Sequence, residues 1–356
     1  MNYFSNKNVI SFDKLCLMAI NPNINPRKNN DYSIDEYVSG ILNGDISILS
    51  KAITLIESSN TEKLRKGQAI LNRCIKHSGN SIRIGLTGVP GVGKSTFTEA
   101  FGTYIIEKTN KKVAVLAIDP SSKKHGGSIL GDKTRMLTLA GNPKAFIRPS
   151  PSAGTLGGVA RATRESILLC EAAGYEYIIV ETVGVGQSET EVKEMTDFFL
   201  LLMLAGAGDE LQGIKRGIME MADAIVINKA DGDNLAKAKL AKKEYQTALH
   251  LFPAPASGWT PKVEICSALT GLNIDLIFNM IHDFATLTKA NGYFEQQRRE
   301  QLIYWFHQSL QQIIQDYIKH NAALQDFTKQ QEKAVLNGDK TPFVAASEII
   351  EKLTGK

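Results

Sequence analysis

The stretch GVPGVGKST, at residues 88–96, constrains the fold of this chain more than any other part of its sequence. It fits the pattern G-x-x-x-x-G-K-[ST], with an apolar run before it and a helical pattern after it. In such a loop, glycines let backbone N–H groups turn inward around a phosphate, and the following helix N-terminus adds partial positive charge. The sequence therefore predicts a strand, a phosphate-binding loop and a helix in succession.

The residue types of this loop have separate expected roles. Lys94 should neutralise the β- and γ-phosphates of a nucleotide, and the Ser95 hydroxyl should bind Mg²⁺. The predicted nucleotide-binding residues of the loop are Gly88, Gly91, Val92, Gly93, Lys94, Ser95 and Thr96. A glycine-rich turn without a ligand is the alternative, and the flanking strand and helix argue against it.

Short apolar runs alternate with helical patterns through the centre of the chain. Most of these runs are continuously apolar, which is typical of parallel strands covered by helices on both faces. The predicted strands are residues 82–87, 112–119, 145–150, 175–182, 198–204, 223–229 and 262–268. We therefore predict an α/β fold of the P-loop NTPase class, with a mainly parallel central sheet flanked by helices and helical extensions at both ends.

The chain is predicted to have four parts. Residues 1–32 are Asn-rich and form a poorly ordered lead-in, residues 33–80 are helical, and residues 81–285 form the nucleotide-binding domain. Two capping boxes, Ser33 with Glu36 and Ser59 with Glu62, predict helix starts in the second part. Residues 286–356 form a C-terminal helical extension, which we expect to serve dimerisation.

An apolar stripe at helical spacing marks this extension. It consists of Leu302, Phe306, Leu310, Ile313 and Tyr317. Such a stripe packs more often against its own domain than against a second subunit. We expect the former and keep the latter as the alternative.

Three carboxylates are candidate partners of Mg²⁺, which prefers hard oxygen ligands in near-octahedral geometry. Glu181 ends the apolar run YIIVE, where a carboxylate would meet the metal through a water molecule. Asp119 ends the run VLAID, and Asp132 lies in the glycine-flanked segment GGSILGDKTRM. Each of the three could instead be an ordinary acid of a strand end or a loop. Together with Ser95 they form the predicted metal site.

The base of the nucleotide is indicated further along the chain. The run IVINKAD ends a predicted strand with Asn228, Lys229 and Asp231 in an N-K-x-D pattern. A carboxylate at the base accepts hydrogen bonds from guanine N1–H and the exocyclic amine, a pair that adenine does not present. Ser267, Ala268 and Leu269 resemble a loop that offers a backbone N–H to the guanine oxygen. These motifs predict binding of GTP and GDP.

Composition excludes several other classes of protein. Hydrophobic residues make up 43% and charged residues 22% of the chain, and the net charge of +4 comes from scattered lysines and arginines, so nucleic acid is not implied. The apolar run at residues 198–205 is far shorter than the roughly 20 residues of a membrane span.

The four cysteines lie far apart, which favours buried or free thiols in a reducing compartment. With no secretory leader recognised, we expect a cytoplasmic protein.

The long motifs resemble one family closely, the P-loop GTPases of the MeaB/ArgK/MMAA group. The segments that carry the resemblance are GLTGVPGVGKSTF, AIDPSS, GDKTRM, RPSPSAGTLGGVARATRE, ETVGVGQSE, AGAGDELQGIKRGIMEMAD, NKAD and SALTG, within residues of about 34 to 320. The resemblance implies a homodimeric GTPase that serves a cobalamin-dependent acyl-CoA mutase, methylmalonyl-CoA mutase above all. Such a protein would gate adenosylcobalamin delivery and would protect or reactivate the mutase. In this family the positions of Asp119, Asp132 and Glu181 are associated with the metal.

The predicted catalytic residues are Lys94, Glu181, Lys215 and Gln187. Small signalling GTPases follow the acid-ended strand with D-x-x-G-Q, but this chain has Glu181 and then Val185, which cannot polarise water, so slow intrinsic turnover is expected. Gln187 is a candidate substitute for the missing glutamine. Lys215 in the switch-like segment LQGIKRG, with Arg216 or Arg135 as alternatives, could stabilise the γ-phosphate, or each could be a solvated surface cation.

Three other functions stay open at this point. A metal-insertion GTPase would favour a His-rich tract or a Cys-containing metal motif, and neither is present in the sequence. A GTP-dependent kinase would transfer the phosphoryl group to an acceptor other than water. A scaffold that binds nucleotide without turnover would not need the full set of phosphate and metal ligands.

Overall fold

A seven-stranded, wholly parallel sheet organises the chain, in the order β3-β2-β4-β1-β5-β6-β7. The computed structural model describes residues 32–118, 136–149, 156–182, 188–206 and 216–354. The strands are β1 (Ile82–Gly88), β2 (Val113–Ile118), β3 (Ala145–Arg148), β4 (Tyr177–Thr182), β5 (Phe198–Leu204), β6 (Ala224–Asn228) and β7 (Lys262–Ile265). Every predicted apolar run overlaps one of these strands, which confirms the fold class.

Helices precede the sheet, connect its strands and follow it. Those before and within the sheet are α1 (Ile34–Leu42), α2 (Ile46–Ile56), α3 (Thr61–Cys74), α4 (Lys94–Thr109), α5 (Leu137–Ala140), α6 (Leu156–Ala172), α7 (Ser188–Lys193), α8 (Arg216–Met221) and α9 (Leu235–Leu249). Those after the sheet are α10 (Ile274–Ala290), α11 (Tyr293–His320), α12 (Ala322–Leu336) and α13 (Pro342–Thr354).

The strands form the core because both of their faces are covered. Every residue of β2 and of β4 is buried, as expected for the continuously apolar β2 and for β4, which is apolar up to Glu181 and Thr182 at its end. Helix α10 packs along α4 through residues such as Ile277, Phe278 and Ile281 and continues the core beyond the last strand.

The three N-terminal helices pack on one another and on α6. Ser33 caps α1, with its side chain and that of Glu36 forming the predicted reciprocal pair of hydrogen bonds. The second predicted capping box is wrong, because Asn60 caps α3. Its side-chain oxygen accepts from the backbone N–H groups of Glu62 and Lys63 at 3.0 and 3.1 Å. An asparagine one residue later offers the same acceptor as the predicted Ser59.

Helix α11 is 28 residues long and two of its faces have different surroundings. Phe294, Gln297, Gln301 and Trp305 are buried against the nucleotide-binding domain. The apolar stripe on another face, which we call the α11 stripe, stays exposed: Leu302 51%, Phe306 60%, Leu310 44%, Ile313 66% and Tyr317 56%. The expectation that it packs against its own domain is therefore wrong. Leu302 and Phe306 directly follow the buried Gln301 and Trp305, so the stripe lies on a different face of the helix from the one that contacts the domain.

The carboxyl ends of the parallel strands meet at one edge of the sheet. Gly88 ends β1, Thr182 ends β4 next to Glu181, and Asn228 ends β6. In open α/β sheets this edge is where ligands bind. The topology thus brings the phosphate loop, the candidate metal acid and the candidate base motif to one place.

Candidate nucleotide site

Glycines shape the loop between β1 and α4. Gly93 precedes α4 with φ +91°, a left-handed conformation that side chains disfavour. A Cβ at Gly88 would collide with the backbone carbonyl oxygen of Leu202 on the neighbouring strand β5. The pattern of glycines in the motif therefore follows from backbone geometry, as expected for a loop that wraps a phosphate.

Lys94 is half-buried at the first position of α4. Its ammonium donates to the backbone carbonyl of Gly88 at 2.8 Å, so that the side chain folds back over the loop. Burial lowers the pKa of Lys94, while the carboxylates of Glu181 and Glu189 act in the opposite direction. A partly desolvated cation beside a glycine-rich loop, at the amino terminus of a helix, is suited to an anionic group.

Glu181 is 4% exposed and receives hydrogen bonds from two hydroxyls of α4. Ser95 Oγ donates to Oε1 at 3.2 Å, and Thr98 Oγ1 donates to Oε2 at 3.0 Å. The Ser95 hydroxyl and the Glu181 carboxylate thus bring hard oxygen donors together beside Lys94. This donor set fits Mg²⁺, which is bound through oxygen and keeps several waters.

Asn228 joins the phosphate loop to the loop after β7. Its Nδ2 donates to the carbonyl of Val92 at 2.9 Å, and its Oδ1 accepts from the backbone N–H of Ala268 at 3.1 Å. Lys229 makes a second connection, because its ammonium donates to the carbonyl of Gly91 at 2.8 Å. The N-K-x-D motif therefore lies directly against the phosphate loop.

Asp231, which follows β6, and Ser267, which follows β7, contact each other through their side chains. The Ser267 hydroxyl donates to the Asp231 carboxylate and accepts from the backbone N–H of Thr270 at 3.2 Å. Leu269, between Ser267 and Thr270 in sequence, is 82% exposed. The arrangement leaves a half-buried carboxylate and an exposed apolar side chain at the end of the loop where a base would be recognised.

The structure brings together part of the predicted site. Lys94, Ser95 and Glu181 form its phosphate and metal side, and Asn228, Asp231 and Ser267 form its base side. Thr96 is exposed on α4, next to Ser95. The remaining predicted residues Asp119, Asp132, Arg135, Gln187 and Lys215 lie outside the described part of the chain, as does the side chain of Arg216.

Two contributing residues were missed from the sequence. Thr98 supports Glu181, and Asn234 Nδ2 donates to the carbonyl of Lys229 at 2.7 Å, where Lys229 adopts a positive φ of 59°. Spacing could have indicated Thr98, since residues three apart share a helix face and Ser95 and Thr98 are three apart. Asn234 is visible only once the turn after β6 is folded.

Residues 49–323 match the family model described as "Methylmalonyl Co-A mutase-associated GTPase MeaB". The GTPase ArgK of Escherichia coli is 45% identical over 322 residues, which cover 90% of this chain and 97% of that protein. The mouse (Mus musculus) protein "Methylmalonic aciduria type A homolog, mitochondrial" is 42% identical over 328 residues, 89% of this chain and 79% of that protein.

One solved structure, described as "LAO/AO transport system kinase", is similar over most of its length. It superposes with a TM-score of 0.72 at 38% sequence identity and covers 91% of this chain and 99% of that one. The similarity extends through the sheet and the helices on either side of it, so the fold and the sequence motifs lead to the same group of proteins.

Proposed function

The chain belongs to the family of methylmalonyl-CoA mutase-associated GTPases, and on that premise we propose that it is the chaperone of a cobalamin-dependent acyl-CoA mutase. In this role it binds and hydrolyses GTP with Mg²⁺, gates delivery of adenosylcobalamin, and protects or reactivates the mutase. Methylmalonyl-CoA mutase is the proposed partner. The observation that carries the proposal is the family match, which spans the whole nucleotide-binding sheet.

The GTPase activity of the family gives each side of the site a proposed role. Lys94 and the loop before it bind the β- and γ-phosphates, and Asp231 accepts the two N–H donors of guanine. The hydrogen bonds of Asn228 to both loops support this assignment, because they tie the phosphate side and the base side into one unit. Ser267, Ala268 and Leu269 complete the base side.

Ser95 and Glu181 would hold Mg²⁺, with Asp119 and Asp132 as further proposed partners. When bound, the metal ion would supply positive charge that offsets the negative charge of the β- and γ-phosphate oxygens. Lys94 contributes its own positive charge to the same oxygens. Gln187 and Lys215 remain proposals for positioning water and for stabilising the γ-phosphate.

A homodimer formed through the C-terminal helices is also proposed. The exposed α11 stripe supports it, since a contiguous apolar face gains free energy when a second surface covers it. Among the described residues, no helix is both long enough and apolar enough to span a membrane. We propose a cytoplasmic location and no role in binding nucleic acid.

The test is GTP hydrolysis by the purified chain, with and without purified acyl-CoA mutases, together with co-purification. We expect slow turnover alone, faster turnover with the cognate mutase, and a complex that depends on the nucleotide. Phosphoryl transfer to an acceptor other than water would support the kinase alternative. Turnover that no acyl-CoA mutase changes, without a stable complex, would contradict the chaperone role and leave the GTPase assignment intact.

A further inference from the structure

The hydroxyl of Thr98 is bonded differently from those of other threonines within helices of this chain. Thr54, Thr109, Thr163, Thr247 and Thr288 each donate to the backbone carbonyl four residues earlier in their own helix. That is the usual local partner of a helical threonine. Thr98 instead donates across to another element, to Glu181 Oε2 on β4, at 3.0 Å. Its hydroxyl therefore acts on the site rather than on its own helix.

The geometry makes this contact specific. Ser95 and Thr98 are three residues apart on α4, so their hydroxyls lie on one face of the helix and reach the same carboxylate. Each oxygen of Glu181 receives one of them, Oε1 from Ser95 and Oε2 from Thr98. Thr98 is fully buried, whereas Ser95 is half-buried at the mouth of the phosphate loop.

We infer that Thr98 is a positioning residue that fixes the carboxylate of Glu181 so that Oε1 faces Ser95 and the metal site. The inference rests on the proposed role of Ser95 and Glu181 in holding Mg²⁺. A carboxylate rotates easily about its last torsion, so one oxygen alone would not fix its plane. With Oε2 held by Thr98, Oε1 keeps its orientation when Ser95 exchanges its hydrogen bond for the metal ion.

Removing this support should weaken the response to Mg²⁺ more than it weakens nucleotide binding itself. The phosphate loop and Lys94 hold the nucleotide without help from Thr98. Groups that orient metal ligands typically contribute about 10–100-fold in metal affinity. Because the Ser95 hydroxyl remains available to the metal ion in such a variant, we expect an effect at the lower end of that range.

The experiment measures release of a fluorescent GDP analogue from the full chain at graded Mg²⁺ concentrations. The variants are Thr98→Val, which removes the hydroxyl and keeps the shape, and Thr98→Ser, which keeps the hydroxyl. Thr288→Val is the matched control, because Thr288 is equally buried and its hydroxyl donates only within its own helix α10. Should Thr98→Val fail to fold, Thr98→Ala takes its place with the same expectation.

We expect Thr98→Val to need about tenfold more Mg²⁺ for half-maximal slowing of release, with unchanged release in the absence of Mg²⁺. Thr98→Ser and Thr288→Val should follow the wild-type curve. A wild-type Mg²⁺ response in Thr98→Val would overturn the positioning role. A wild-type chain whose nucleotide release ignores Mg²⁺ would overturn the metal site itself, and neither outcome depends on whether a mutase binds.

Discussion

The carboxyl edge of the sheet and the α11 stripe differ in where their side chains find partners. At the sheet edge, Glu181 and Asn228 each connect two or more separate segments of the chain through hydrogen bonds. On α11, Phe306 and Ile313 remain 60% and 66% exposed. The described residues of the first region bond to one another, whereas the second is an apolar surface that the described part of the chain leaves exposed. We therefore expect substitutions at the sheet edge to change nucleotide turnover or selectivity, and substitutions on the α11 stripe to change self-association.

The buried face of α11 attaches the helix to the opposite edge of the sheet, where β5 begins. Arg298 Nε and Nη2 each donate to the buried carboxylate of Asp197 at 2.8 Å, next to the start of β5. Gln301 Nε2 donates to the carbonyl of Thr196, and Trp305 Nε1 to that of Glu194, both at 2.8 Å. These contacts anchor the helix whose other face carries the α11 stripe.

The largest effect should come from the sheet edge, with Lys94→Ala. Loss of the cation over the phosphate loop should lower GTP turnover about 10³-fold, since one removed charge-stabilising group costs roughly 10²–10³ in rate. Lys108→Ala, in the last turn of the same helix and exposed, is the control and should leave turnover unchanged. Single-turnover kinetics would check this. A Lys94→Ala variant with wild-type turnover would show that the loop does not hold the phosphates.

The anchor of α11 at the start of β5 should give the next largest effect, measured as the free energy of unfolding. Arg298→Met leaves Asp197 buried without its cation, and breaking a buried ion pair costs about 3 kcal/mol or more. The neighbouring Arg299 is exposed, so Arg299→Met should change the free energy of unfolding little. Urea denaturation of both variants would measure the difference. Equal free energies of unfolding for the two variants would mean that α11 is not anchored through Asp197.

At the base side, Asp231→Asn should reduce selectivity rather than abolish binding. An amide has one acceptor oxygen where the carboxylate has two, so one guanine N–H loses its partner at a cost of about 2 kcal/mol, roughly 30-fold in preference for GTP over ATP. Asp233→Asn, two residues on and exposed, should keep the wild-type preference. Calorimetric titration of each variant with GTP and with ATP would measure this preference. Unchanged selectivity in Asp231→Asn would remove the carboxylate from base recognition.

Several features of the sheet and its carboxyl edge could be predicted from the sequence. The phosphate loop, the seven strands and the position of Glu181 follow from motif chemistry and continuous apolar runs, because these depend on local backbone geometry and on burial of both sheet faces. Asn60 replaced the predicted Ser59 because neighbouring residues offer equivalent caps, and only the folded turn selects one of them.

The α11 stripe marks the limit of such reasoning. Helical spacing correctly indicated a helix with an apolar face, but periodicity does not tell which surface covers that face. Thr98 was missed for a related reason. The three-residue spacing shows only that Thr98 shares a helix face with Ser95, whereas its partner Glu181 lies on a strand 83 residues away in sequence.

The smallest effect on folding should come from the α11 stripe itself. In Phe306→Gln with Ile313→Gln, both side chains are already mostly exposed, so the free energy of unfolding of the monomer should change by no more than about 0.5 kcal/mol. Phe294→Ala, at the buried start of the same helix, should cost about 3 kcal/mol and serves as the contrast. Denaturation at a concentration low enough to suppress association would measure both, and sedimentation at high concentration would show the double variant losing any self-association. A loss of several kcal/mol in the dilute double variant would mean that the stripe packs within its own chain, and the difference between the two regions would disappear.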